Sequence, residues 1–307
     1  MELQKLRGAK RESADNKVAY IFMAPWFIGL ILITAIPLGT SLVLSFTDYR
    51  LTSKVTHFAG IQNYIRMFTD DPRMWQSIKV TLIYVVVATP LQLALALFIA
   101  VLLNQGMKGL AFYRSVFYLP SLMGSSVAVA LLWTRIFGAN GLVSTILYKV
   151  GIIDTAAHSW IADTRTSLIS IMLLHIWTFG SPMIIFLAGL RQIPTMYYEA
   201  ASVDGASKWT QFFRITLPLL SPIIFFNLVL QVIGGFQSFT QAYIVSGGSG
   251  GPVDSTLFYS LYIYQVAFNG RLQMGYASAM AWLLVILITI FTAINFYFSR
   301  YWVFYEE

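Results

Sequence analysis

The chain contains no cysteine among its 307 residues. That removes disulfides, thiol nucleophiles and cysteine metal sites from consideration. Charge is scarce: Asp, Glu, Lys and Arg together make up 11% of residues, against roughly 25% in soluble domains. A water-facing surface cannot be assembled from so little charge. The three histidines, His57, His158 and His175, are scattered without metal-ligand spacing. No phosphate-cradling loop of the form GxxxxGKS or GxxxxGKT occurs, and the glycine-rich run at 247–251 has no lysine. The acids sit in separate loops, so no carboxylate pair for glycoside hydrolysis can be argued. No Asp or Glu lies well inside an apolar run and no internal repeat is visible, which counts against an ion-coupled secondary transporter or channel, the competing reading. The chain is therefore expected not to be an enzyme and to bind no metal or cofactor of its own.

Apolar and aromatic residues are abundant instead, at 57% and 16%, and the mean hydropathy is +0.69. This is the composition of an all-α polytopic membrane protein. Six spans are expected, at about Val18–Phe46, Val80–Leu103, Val116–Phe137, Leu168–Leu190, Leu217–Val245 and Ala277–Phe298. They form one six-span domain over 18–299, between an N-terminal tail of 1–17 and a C-terminal tail of 300–307. The first span is too long for a signal-peptide core and reads as a retained anchor. The net charge of +7 fits an excess of Lys and Arg on cytoplasmic loops better than nucleic-acid binding. With both termini inside, eleven basic residues crowd four short inner segments and nine are spread over three longer outer loops. Pro90, Pro120, Pro182 and Gly234–Gly235 are helix breakers within spans, which in a membrane mark either a lined pathway or bundle packing.

The inner loop between spans 4 and 5 reads RQIPTMYYEAASVDGASKWTQFFRITLP. A helix start is expected at Pro194–Thr195, with Thr195 as the N-cap. Met196, Tyr197, Ala200, Ala201 and Val203 supply an apolar side, Gly205 breaks the helix, and a second short amphipathic stretch carries Trp209, Phe212 and Phe213. Such a helix either lies along headgroups or docks into a partner's groove. The loop resembles the EAA motif of bacterial ABC-importer permeases: Glu199-Ala200-Ala201, three residues, Gly205, nine residues, Ile215, one residue, Leu217-Pro218. The stretches at 20–49, 60–68, 113–133 and 245–279 are similar to maltose-type sugar permeases.

The resemblance implies a type I ABC-importer permease fold in a bacterial inner or plasma membrane, with a cytoplasmic coupling helix at about 195–215. It implies Glu199, Ala200, Ala201, Asp204 and Gly205 as the contact with the ATPase. The implied partners are a second, homologous permease in a heterodimer, two ATP-binding subunits that hold ATP and Mg, and an extracytoplasmic solute-binding protein that delivers a sugar or oligosaccharide. By motif alignment and by polarity within the spans, the substrate pathway falls on Ser121, Ser125, His175, Thr178, Phe179, Pro182, Gly235, Gln237 and Ser238. Arg135, near the outer end of span 3, raises acidic sugars as an alternative to neutral ones.

Overall fold

The computed structural model describes residues 20–53, 55–106, 109–124, 126–270 and 272–304. The predicted N-terminal tail, the last three residues of the C-terminal one, Ser125 and several of the basic residues lie outside them. Among the described residues the chain is helical, and Thr47 and Phe58 form an isolated bridge.

Helix α1 is Tyr20–Ser45, α2 is Gln62–Thr69 and α3 is Pro72–Asn104. The third crossing is divided into α4, Leu110–Met123, and α5, Val127–Phe137, followed by the short α6, Leu142–Lys149. The fourth is divided into α7, Ser167–Trp177, and α8, Gly180–Leu190, bent by 40°. Then come α9, Thr195–Val203, α10, Lys208–Phe236, α11, Thr240–Val245, α12, Tyr259–Phe268, and α13, Met274–Ser299. Among the described residues five stretches are long and apolar enough to cross a membrane, and α7 with α8, taken as one span, makes a sixth. By length and composition the third of these is 127–149. Packing, however, runs 110–137 antiparallel to the whole of α7–α8: Gly180 sits on Phe117 and Tyr118, while Trp133 Nε1 donates to Ser170 O at 2.9 Å near the other end.

Three sequence expectations need correction. The breakers do not break: Pro90, Pro120 and Gly234–Gly235 lie inside continuous helices, and Pro182 sits in the first turn of α8, where a missing amide costs little. Thr195 is the first helical residue, with Pro194 at the cap position and no side-chain cap. The second amphipathic stretch is no separate element, because Lys208 begins the helix that becomes span 5, passing through a π-helical turn at Phe212–Thr216.

Two apolar cores are stacked along α3. One, at the end remote from α9, gathers Met74, Tyr84, Val85, Ala88, Phe236 and Phe258. The other, nearer α9, gathers Leu93, Ala96, Ala100, Met183, Phe186 and Leu220. The small residues Ala96 and Ala100, four apart on one face, let helix backbones approach, as is usual in membrane bundles. Between the cores α3 carries Thr89 and Gln92, both buried. A polar layer therefore divides the bundle at mid-length. Helix α1 buries none of its apolar stretch within the chain and packs along α13, leaving its other side for lipid or a partner.

Candidate functional site

Three crossings lose their helix at this same level: span 3 at Gly124 and Ser126, span 4 at Thr178–Phe179, and span 5 at 237–239. Each interruption frees backbone groups that hydrocarbon cannot satisfy, and the neighbouring spans supply partners. Gln92 Nε2 donates to His175 O at 3.0 Å, Thr178 O at 3.1 Å and Thr178 Oγ1 at 3.1 Å. Ser121 Oγ donates to Thr178 O at 2.8 Å and accepts from Ser181 N at 2.9 Å. Gln241 Nε2 donates to Gly124 O at 3.2 Å. Ser126 caps α5 by accepting from Val129 N. Gly124 lies directly against the Thr178 methyl group, so a side chain there would collide with it.

Of the residues expected along the pathway, Ser121, His175, Thr178 and Phe179 converge here. The His175 ring packs on Tyr84 at 5.2 Å, and its Nε2 is buried without a hydrogen-bond partner among the described residues. Phe179 is buried and meets Phe117 at 6.0 Å. Ser238 borders the layer, its carbonyl accepting from Ser260 Oγ. Pro182 is buried in the packing of α8. Gly235 is a contact residue: a Cβ there would come within 3.0 Å of Val85 Cγ2. Gln237 is exposed at the end of α10, and Ser125 is outside the described residues.

Thr89, Gln92 and Gln241 were missing from the sequence-derived set. Thr89 Oγ1 and Gln92 Oε1, like His175 Nε2, are buried without a hydrogen-bond partner among the described residues. The available signal was polarity in the middle of an apolar span, one turn apart on α3. The layer holds amides, hydroxyls, one imidazole and aromatic rings, with no Asp, Glu, Lys or Arg between Val80 and Leu103, Leu168 and Leu190, or Leu217 and Val245. Such a lining can hydrogen-bond a neutral, hydroxyl-rich solute; it offers no acid for ion coupling and no nucleophile–base pair. Arg135 lies on the exposed side of α5 beside Leu131 and Leu132, about 200° around the helix from Trp133, which faces span 4.

At one end of the bundle α9 stands exposed, with no residue buried. Met196 and Val203 are 65% and 88% exposed and Trp209 is 74% exposed, a concentration of apolar surface that requires a cover. Gly205 has φ +76° and ends the helix, its N–H donating to Ser202 O at 3.1 Å. The loop is pinned to span 5. Buried Gln211 donates to Ser202 Oγ at 2.9 Å and Ala206 O at 3.3 Å, and the Tyr198 and Thr216 hydroxyls bond at 2.9 Å. These contacts tie α9 and its following turn to the start of α10.

Residues 72–302 match the family described as "Binding-protein-dependent transport system inner membrane component". The chain is 52% identical over 293 residues to the Probable ABC transporter permease protein YesP of Bacillus subtilis (strain 168), covering 95% of this chain and 94% of that protein. It is 32% identical over 283 residues to the Lactose transport system permease protein LacF of Rhizobium radiobacter, covering 92% and 93%. A chain of the bacterial alginate ABC transporter, solved in complex with its alginate pentasaccharide-bound periplasmic protein, superposes with a TM-score of 0.76 at 20% identity, covering 94% and 96%; that likeness is one of fold. With the match running from α3 to beyond α13, the chain belongs to the family of binding-protein-dependent transport system inner membrane components, the non-enzymatic membrane permeases of ABC transporters.

Proposed function

We propose that the chain is the transmembrane permease subunit of an ATP-driven importer for a sugar or oligosaccharide handed over by an extracytoplasmic binding protein. The observation that carries this reading is the coincidence of three span interruptions in one uncharged, hydrogen-bonding layer, mechanically linked to an exposed EAA-spaced helix. The layer is one wall of the pathway, and Thr89 and Gln92 join Ser121, His175, Thr178 and Ser238 in it. A second, homologous permease supplies the facing wall. Two ATP-binding subunits hold ATP and Mg, and a groove in one of them covers α9 through Glu199, Ala200, Ala201, Asp204 and Gly205. Both termini face the cytoplasm. ATP binding moves α9, the Gln211 and Tyr198 contacts carry that motion into α10, and the layer opens alternately to the two sides.

Neutral sugars are favoured over acidic ones, because the layer is uncharged and Arg135 points away from span 4. The relative LacF is named for lactose transport, which agrees with a neutral substrate. The test is reconstitution of the permease pair and ATPases in proteoliposomes with the binding protein. Uptake should require ATP and the loaded binding protein; uptake of free sugar without either would overturn the reading. Orientation is checked separately. The chain has no native cysteine, so Ser249→Cys should be labelled by an impermeant maleimide in intact cells and Ser207→Cys shielded; the reverse pattern would invert the topology.

A further inference from the structure

A groove of about 380 Å³ lies on the outside of the bundle between α3 and α7, at the end remote from α9. Its floor is apolar, made by Ile83 and Val87 of α3 and Leu168, Ile169 and Met172 of α7. These residues belong to membrane-crossing helices, so the floor runs at hydrocarbon depth. At the groove's outer end stand two cations, Lys79 at the end of span 2 and Arg165 two residues before α7. Both are exposed, and no acid lines the groove. Neither side chain has an ion pair or hydrogen bond among the described residues. The nearby acid, Asp163, is directed elsewhere: its carboxylate accepts from the backbone N–H of Arg165 at 2.9 Å and lies 4.0 Å from His158 Nε2.

We propose that this groove binds an anionic phospholipid, its phosphate between Lys79 and Arg165 and one acyl chain along the seam of α3 and α7. A cation at the edge of a span needs an anion or water, and basic residues clustered between spans at the membrane surface are a recognised headgroup site. The apolar floor and the paired charges each call for a different part of the same molecule. A soluble anion would leave the floor uncovered; a zwitterionic lipid would bring a cation of its own beside Lys79 and Arg165. The seam is also the one that Gln92 stitches to Thr178 deeper in the membrane, so a lipid lodged in it would brace the outer halves of spans 2 and 4 around the polar layer.

The experiment uses the full transporter, purified and placed in nanodiscs of phosphatidylcholine with a small fraction of phosphatidylglycerol bearing a photoactivatable acyl chain. A matched phosphatidylcholine analogue is the control. Crosslinks should map to 80–87 and 168–172 for the anionic analogue and exceed those of the control. At limiting lipid, Lys79→Gln and Arg165→Gln should each lower the yield about fivefold, while Lys79→Arg and Arg165→Lys retain it. Equal crosslinking by both analogues, or no loss in the double Gln variant, would overturn the proposal. So would efficient maleimide crosslinking of Ile83→Cys to the companion permease, which would show the groove covered by protein. Assembly of each variant is checked by its basal ATPase. None of these outcomes depends on which solute is carried.

Discussion

The side-chain amide of Gln92 bridges the interruption of span 4 by donating at once to the carbonyl and the hydroxyl of Thr178. The two carbonyls it reaches keep other partners: Thr178 O still receives Ser121, and His175 O still receives Thr178 N and Oγ1. Gln92→Leu therefore costs the net value of the lost bonds, about 1 kcal/mol each and offset by the leucine's apolar burial, rather than the larger penalty of stranded carbonyls. It also removes the unpaired Oε1. The expected result is a thermal midpoint close to wild type with uptake reduced roughly tenfold, the effect of about 1.4 kcal/mol lost toward the solute. Uptake equal to wild type would make Gln92 a packing residue only.

A second expectation concerns the link between α9 and α10. A Cβ at Gly205 would meet nothing within 4 Å, so Gly205→Ala pays only for its φ of +76°, about 1 kcal/mol. Gly205→Pro is different in kind, since it forces φ negative and deletes the bond to Ser202 O. Gln211→Ala cuts the tie to Ser202 and Ala206 while leaving the exposed face of α9 intact. Gly205→Ala should keep most of the stimulated ATPase activity. Gly205→Pro and Gln211→Ala should reach the membrane yet lose uptake, and for Gln211→Ala the ATPase subunits should still co-purify. Normal uptake by Gln211→Ala would refute transmission through that contact.

Much of this arrangement is legible in the sequence because hydropathy writes the spans and a fixed spacing marks the loop between spans 4 and 5. Glu199 to Gly205 fall where that spacing puts them, on an exposed helix and its terminating glycine. The interruptions are not legible in the same way. Pro90 and Pro120 attract attention, yet the helices run through them, while the real breaks fall at Gly124, Thr178 and Gln237, where tertiary partners such as Gln92 and Gln241 make an open backbone affordable. Those glutamines are separated from the groups they satisfy by more than 80 and more than 100 positions, and no local pattern encodes such a pairing. Likewise motif alignment puts Gly235 in the pathway, and its close packing on Val85 is seen only in the fold.

The remote end has its own anchor. Asp71 caps α3 through Met74 N and accepts from the hydroxyls of Tyr262 and Tyr276 at 2.7–2.8 Å. Tyr262→Phe removes a hydrogen bond to a charged, buried acceptor and should cost about 1.5–3 kcal/mol, seen as a lowered thermal midpoint. Burial, then the bond to Asp71 and its charge, push the Tyr262 hydroxyl above the usual tyrosine value. A folded value above the unfolded one means that the stabilisation is whole below pH of about 10 and is lost as pH rises through the folded value. The midpoint of the wild type should therefore hold up to about pH 10 and fall above it, and Tyr262→Phe should fall less steeply. Parallel curves would mean that another group governs the alkaline loss.

Val253 presents the most strained backbone on that face. It is β-branched, holds φ 53° and ψ 42°, and is 86% exposed. The left-handed conformation costs such a residue roughly 1–2 kcal/mol, and its neighbour Asp254, φ 56°, is held by a two-pronged bond to Arg73 at 2.6 and 2.8 Å. Strain kept in place beside an exposed apolar side chain points to use, and the expected use is contact with the binding protein. Val253→Gly relieves the strain, but glycine's extra unfolded-state entropy offsets about 0.5–1 kcal/mol of the gain, so the midpoint should hardly move. The side chain is nevertheless gone. The concentration of loaded binding protein that half-saturates ATPase stimulation should then rise, and rise further for Val253→Asp, with maximal stimulated activity retained. If both variants saturate like the wild type, the tip lies outside the interface, and the strain answers only to the Arg73–Asp254 clamp that holds the turn.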